Sequence, residues 1–352
     1  MFFVSEKINL LGITVAILCS FAAALAVTNK NSPQGDKIQV YDNVLPKPAR
    51  DILHKAASES GLGHKIFTRP LSSSGESPVI ERALDAILSQ LGDVADEENR
   101  QYVEYWTRQE WRHIEAHSDV DEHLAKEHDA MIANGDLDSD HVGYRYPKNG
   151  HVLYLKIGNN VRGPTCVFPD LQSGGDLVKG NSNLINQIDM VTVPAVNGRL
   201  LRFNGDSLHA VPRPADLWFL SFVRGAPEYT PEEAWGRSVI LFNTWGDNAP
   251  KDVPLQKINP EEFDADEGQD LVNDASVWTK AFPASGDDIV CSAGSNGRGE
   301  RENGNAMSKV KIWLLGNERR RNHQMRTVKM AAESSVQDAF LETSAVSLIT
   351  LQ

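Results

Sequence analysis

The spacing of apolar side chains divides the chain into stretches of different period. In PVIERALDAILSQL, residues 78–91, Ile80, Ala83, Leu84, Ile87, Leu88 and Leu91 recur at intervals of three and four, which lines them along one face of a helix laid on a core. Upstream, IQVYDNVLPKPARDILHKAAS predicts a short strand, a turn at Asp42 and Asn43, and a helix carrying Ile52, Leu53 and Ala56. Pro46 and Pro48 suit the start of that helix rather than its interior. From about Gln101 to Trp245 the period shortens. The runs HVLYLKIG, DMVTVPAVNG, RLLRFNG, LWFLSFV and SVILFNTW are punctuated by Gly, Pro and Asn, and many short strands with turn signals predict a sandwich or barrel.

Outside this region the composition changes. The first 27 residues, MFFVSEKINLLGITVAILCSFAAALAV, carry one lysine and then an uncharged stretch from Leu10 to Val27. That pattern predicts a secretory signal peptide, or a membrane anchor if it is not cleaved, and so a route into the secretory pathway. Residues 28–37 read as a polar linker and 38–258 as the main domain. Residues 259–308 read as an acidic and Gly/Ser/Asn-rich loop region too poor in apolar side chains to fold alone. Residues 309–352, with KVKIWLLG and a predicted helix around Ala331 to Glu342, read as a C-terminal segment packing back onto the main domain.

The formal charge of −13 opposes binding to nucleic acid or anionic lipid through the surface as a whole. The basic cluster of Arg319, Arg320 and Arg321, with Lys309, Lys311, Arg326 and Lys329 nearby, reads as a solvated face. Of three cysteines, Cys19 lies in the leader, so only Cys166 and Cys291 could pair, and two cysteines define no disulfide framework.

Candidate chemistry concentrates in HIEAHSDVDEH, residues 113–123, which holds three of the ten histidines and four acidic side chains. As a strand, this stretch points His113, Glu115, His117, Asp119 and Asp121 to one side, so His117 and Asp119 could grip one ion together. A His-x-Asp pair alone is a weak signal, equally a hydrated strand end. In NGRLLRFNGDSLHAVPRP, residues 197–214, an apolar strand, a turn at Asn204 and Gly205, and His209 follow in order. With His117 and Asp119, His209 makes two imidazoles and one carboxylate, the set that leaves three positions of ferrous iron open. His113 and Glu115 are a rival pair on the same side and could instead orient the ligands. His113 and His117 are four apart, as in helical zinc sites, but the glutamate placement of that motif is missing.

At these residues the chain resembles the iron(II)- and 2-oxoglutarate-dependent dioxygenases, in particular their prolyl 4-hydroxylase-like branch. The resemblance runs through VYDNVLPKPARDILHKAA, HSD at 117–119, HVLYLKIG, SGGDL at 173–177 and GRLLRFNGDSLHAVPRP, in that order. It implies a mainly β fold, a double-stranded β-helix or jelly-roll barrel packed against N-terminal helices. It implies that His117, Asp119 and His209 hold Fe(II), with 2-oxoglutarate as co-substrate and ascorbate as a further candidate cofactor. The implied activity is hydroxylation of a peptidyl, prolyl-like or other C–H substrate, with release of succinate and carbon dioxide. The family places a basic residue on the strand after the distal histidine to hold the far carboxylate of 2-oxoglutarate, a task suited to the guanidinium fork. Here the usual position is apolar, Trp218 to Leu220, and an inserted loop, VRGAPEYTPEEAWG, moves the expectation to Arg237, with Arg224 second. Tyr154 is expected to offer a hydroxyl to the same co-substrate. The competing readings are a non-catalytic jelly-roll module that binds metal or sugar, and a scaffold that uses Trp218, Trp235 and the basic block for protein contacts. The expected partner is a peptide or small-molecule substrate, with no nucleic acid, and with a membrane only if the leader is an uncleaved anchor.

Overall fold

The computed structural model describes residues 37–61, 63–71, 77–95, 100–110, 114–136, 144–158, 163–172, 188–211, 236–246, 248–253, 270–281, 290–291, 307–315, 323–331 and 345–351. Ten strands lead up to the end of the barrel: β1 Ile38–Asp42, β2 Lys65–Arg69, β3 Gln101–Glu110, β4 Ile114–His117, β5 Asn149–Ile157, β6 Thr165–Gln172, β7 Ile188–Val193, β8 Leu200–Asn204, β9 Ser207–Val211 and β10 Gly236–Trp245. Three helices interrupt them: α1 Lys47–Glu59, α2 Val79–Gln90 and α3 Glu122–Asn134. Later come β11 Thr279–Lys280, β12 Val290–Cys291, β13 Met307–Leu315, β14 His323–Ala331 and β15 Ser347–Leu351.

The strands sort into two sheets, ordered β11-β1-β8-β5-β10-β3-β2 and β12-β15-β7-β6-β9-β4-β13-β14. From β3 to β10 the chain crosses between them at every step except β6 to β7, which pair as neighbours, so β8-β5-β10-β3 and β7-β6-β9-β4 form the two four-stranded halves, all with antiparallel neighbours. This is the mainly β jelly roll, or double-stranded β-helix, that the resemblance implied. Two-residue alternation separates its faces. Val152, Tyr154, Leu201, Phe203 and Val239 join Val167, Val191 and Val193 between the sheets. Their strand neighbours Leu153, Leu155, Leu200, Ile240 and Phe242 turn outward onto the helices.

The helices form for local reasons. Pro46 and Pro78 precede α1 and α2 in extended backbone, and Pro48 occupies the first turn of α1, where its missing N–H would have no intrahelical partner. Ala49, Leu53, Ala56 and Ala57 of α1 are buried together with Ile80, Ala83, Leu84, Ile87 and Leu88 of α2. Burying each large side chain contributes roughly 1.5–3 kcal/mol. The helix α3 breaks the run of strands expected between Gln101 and Trp245. Asp121 caps it by accepting from Leu124 N, and Gly135 closes it in the left-handed conformation at φ 78°.

The C-terminal segment joins the second sheet: β13 runs parallel to β4 through Leu314 and Ala116, and β15 pairs antiparallel with β7. Ala331 ends β14 rather than opening a helix, and residues 332–344 lie outside the described residues. So do the leader, LWFLSFV, SGGDL, His113, Arg224, Trp218, Trp235 and Arg319 to Arg321. Among the described residues no helix is long and apolar enough to cross a membrane. Cys166 is a buried free thiol, pushed up to about 12 by burial, with a weak contact to Thr192 opposing.

Candidate metal centre

His117 and His209 are brought together by strand register. They are directly opposite in the antiparallel β4–β9 pair, so their side chains leave the sheet on the same side, and their ring centroids are 4.4 Å apart. The third group arrives differently from the sequence reading. The strand β4 ends at His117, so Asp119 does not sit two residues along a strand. The chain has already turned toward α3: Asp121 N donates to Arg145 O, and Ser118 Oγ donates to Asp206 O at 3.0 Å in the β8–β9 turn. That turn carries Asp119 back over the histidines. Its Oδ1 lies 3.6 Å from His117 Nε2 and its Oδ2 3.9 Å from His209 Nε2. One ligand atom from each of the three residues falls within 4.8 Å of the others.

A single lateral row on the inner face of the first sheet supports this cluster. Register places Phe203, Gly150, Asn243 and Glu104 side by side across β8, β5, β10 and β3. The Phe203 ring packs on His209 with centroids 4.8 Å apart. It reaches there across Gly150, where a Cβ would stand 2.7 Å from Phe203 Cζ, closer than non-bonded carbons approach. Asn243 Nδ2 donates to Asp119 Oδ2 at 3.1 Å. Glu104 accepts from Trp245 Nε1 at 3.0 Å and from His64 Nδ1 at 2.7 Å. The His64 ring stacks flat on Trp106 at 4.5 Å.

The electrostatics favour a cation. Burial pushes the Asp119 carboxyl up, but His209, His117 and the Asn243 amide more than offset it, and the net shift is downward. His209 is pushed down to about 4, by burial first and then by His117, against the opposing pull of Asp119. At neutral pH it is therefore an uncharged imidazole. Its Nδ1 lies 3.3 Å from Ser207 O, and a carbonyl only accepts, so Nδ1 carries the hydrogen and Nε2 keeps its lone pair toward Asp119. Two imidazole lone pairs and one carboxylate on one face fit a first-row divalent ion with open positions.

Arg237 opens β10 beside a bulge, where the pairing with both β5 and β3 slips before Val239. Such bulges re-aim a side chain. The guanidinium is carried inward: the residue is 3% exposed, Nε donates to Gly163 O at 3.2 Å and Nη2 to Thr165 Oγ1 at 3.1 Å. Its Cζ stands 5.2 Å from the centre of the Tyr154 ring. The Tyr154 and Thr165 hydroxyls share a 2.7 Å hydrogen bond. Among the described residues no carboxylate pairs with Arg237, and burial lowers its affinity for the proton, with Tyr154 opposing. A buried guanidinium without an anion is costly, and it forms a receptor for one. Thr165 lies two residues from Val167, which pairs with His209. Such diagonal neighbours are roughly 7–8 Å apart on one sheet face. The Arg237–Thr165 pair and the histidine cluster therefore lie along one stretch of the second sheet.

Of the residues singled out from sequence, the structure gathers His117, Asp119 and His209, and separately Tyr154 and Arg237. The side chains of His113 and Glu115 lie outside the described residues. Asn243, Phe203, Gly150 and Thr165 were not anticipated. The one available signal was Asn243, a polar residue inside the apolar run SVILFNTW.

No family profile matches the sequence, and no curated protein does. Solved structures do resemble the fold. A prolyl-4-hydroxylase from Pseudomonas putida has a TM-score of 0.31 at 13% identity, covering 61% of this chain and 88% of that one. HygX from Streptomyces hygroscopicus, solved with nickel and 2-oxoglutarate bound, has 0.33 at 14%, covering 60% and 83%. The viral collagen prolyl hydroxylase of Paramecium Bursaria Chlorella virus-1 has 0.32 at 14%, covering 61% and 95%. All three scores lie below 0.5, so the roles of individual side chains here rest on their own geometry.

Proposed function

We propose that this chain is an Fe(II)- and 2-oxoglutarate-dependent dioxygenase that hydroxylates a C–H bond of a peptidyl, prolyl-like or small-molecule substrate. The observation that carries the proposal is the pairing of two features in one interior. Two imidazoles and a carboxylate converge within 4.8 Å, and Arg237 lies buried nearby with no carboxylate of the described chain to neutralise it. A metal site alone would not require the second feature.

His117, Asp119 and His209 would hold the iron, and Arg237 with Thr165 and Tyr154 would take the far carboxylate of 2-oxoglutarate. Iron, when bound, supplies the oxidative chemistry that side chains lack. The reaction balances as 2-oxoglutarate plus dioxygen plus R–H giving succinate, carbon dioxide and R–OH. One oxygen atom enters the hydroxyl group and the other the new succinate carboxylate.

The chain's own residues perform binding and orientation. The Ser207 carbonyl fixes the His209 tautomer, Asn243 orients Asp119, the Phe203 ring backs His209, and the fold excludes water from the Arg237 guanidinium, which is 3% exposed. Exclusion of water strengthens the charge-assisted hydrogen bonds that Arg237 offers to a carboxylate. The prolyl-like substrate class rests on the sequence resemblance. The secretory route is likewise part of the proposal and rests on the pattern of residues 1–27.

The test is succinate formation by the full chain with Fe(II), 2-oxoglutarate and oxygen, compared with His209→Ala and Arg237→Met. Succinate from the wild type alone is expected. A wild-type protein that binds the metal but forms no succinate would favour the non-catalytic metal- or sugar-binding module.

A further inference from the structure

Asn243 is 2% exposed on β10 and faces the cluster from a strand that is otherwise mostly apolar at its centre. One end of its amide is used: Nδ2 donates to Asp119 Oδ2 at 3.1 Å. The other end is buried and has no hydrogen-bond partner among the described residues. Beside it stands Gly150, where a Cβ would lie 3.4 Å from the amide oxygen. A side chain placed for the sheet's own stability would be leucine, nearly the same size and with no oxygen to leave unpaired. The orientation of this amide is therefore set by the carboxylate it touches.

From this geometry we propose that Asn243 is a positioning residue that holds Asp119 as a one-oxygen ligand. With one lone pair of Oδ2 taken by the amide hydrogen, Oδ1, 3.6 Å from His117 Nε2, is the freer and more basic oxygen for an ion. The distinction has a chemical consequence. On a six-coordinate ion that already carries two imidazoles, a one-oxygen carboxylate leaves three positions, while a two-oxygen carboxylate leaves two. A chelating 2-oxoglutarate and a third small ligand need three. Asn243 thus sets how many positions the protein leaves open. The inference rests on the metal reading above.

Cobalt(II), which is stable in air at such sites and reports coordination number in its visible spectrum, is the probe. Full-length wild type, Asn243→Leu and Asn243→Ala would be titrated with Co(II), then with 2-oxoglutarate, with the melting of each metal-free protein recorded alongside. Leucine keeps the volume and removes the donor; alanine serves if leucine does not fold. The expected result is roughly 10–100-fold weaker Co(II) binding in the variants, a changed visible spectrum, and weaker 2-oxoglutarate binding to the cobalt protein. Variants that match wild type in Co(II) affinity, spectrum and 2-oxoglutarate affinity would overturn the role of Asn243 and leave the metal site standing. A wild type that takes up no Co(II) would overturn both.

Discussion

Replacing Arg237 by methionine separates a binding charge from a structural one. The guanidinium is 3% exposed, and its neighbours among the described residues are the Gly163 carbonyl, the Thr165 hydroxyl, and the hydroxyl and ring face of Tyr154. None of these is an anion. A buried ion pair can be exchanged for packed apolar side chains with a gain of roughly 1–4 kcal/mol, and here the charge lacks even a partner, while methionine replaces its aliphatic stem. The metal-free variant should therefore be at least as stable as wild type. Ligand linkage should behave in the opposite way. At a 2-oxoglutarate concentration of 100 times Kd, binding adds about 2.7 kcal/mol to the wild-type fold. At roughly 2–4 °C per kcal/mol for a domain of this size class, the melting temperature should rise by about 5–10 °C. Thermal melts with Mn(II), with and without 2-oxoglutarate, supply both numbers. The expected pattern is an equal or higher melting temperature for Arg237→Met without ligand, and no rise with it. A variant that melts several kcal/mol lower, or that keeps the full ligand shift, would show that the arginine is a structural post and would refute the reasoning.

Gly150→Ala places a methyl 2.7 Å from Phe203 Cζ, so the ring must retreat by about 1 Å to reach ordinary contact. Overpacking of this kind costs about 1–3 kcal/mol, and because the ring backs His209, urea denaturation and a metal titration should both register the change. A Phe203→Leu, Gly150→Ala double variant should recover part of the stability. Glu81 is raised to about 7, by burial first, with the Tyr105 hydroxyl and Lys65 opposing. A carboxyl raised in the fold contributes stability that is full below its unfolded value near 4.5 and is lost as pH rises through about 7. Between pH 5 and 8 the wild type should thus lose on the order of 2 kcal/mol from this group, and Glu81→Gln should not. Denaturation curves at the two pH values that run parallel for both proteins would contradict this assignment.

The parts of the fold that repeat a local period were legible before the structure. The spacing of Ile80, Ala83, Leu84, Ile87 and Leu88 specified α2 because a helix buried on one side needs that interval. The short runs specified strands, though not their order, since pairing partners are remote in the chain: Phe203, Gly150, Asn243 and Glu104 form one row from four strands. The helix α3 departs from the expected run of strands although Asp121 and Gly135 mark both its ends, because it buries only Ala125 and so carries almost no apolar face for the period to show. The strand expectation also placed Asp119 on β4. In the structure it reaches the histidines through a turn, and the two-residue alternation accounts only for His117 and His209 across the β4–β9 pair. The supporting groups were invisible for a further reason: Thr165 and Gly150 acquire meaning only from the side chains that register sets beside them. Not every histidine reads the same way. His151 is buried against Phe242, with rings stacked at 4.3 Å, and is pushed down to about 3 by burial and by Arg202, with its bond to the Phe242 carbonyl opposing; it belongs to the core.

The central claim, one ion and one diacid sharing the barrel interior, is tested most directly by an anaerobic titration of the full chain with Fe(II) and then 2-oxoglutarate, followed by visible absorption. Chelation of ferrous iron by the 2-oxo acid produces a charge-transfer band. The band is expected in wild type, is expected to vanish in His117→Ala and Asp119→Ala, and is expected to need much more 2-oxoglutarate in Arg237→Met. Its absence from wild type, or its survival in both ligand variants, would contradict the account.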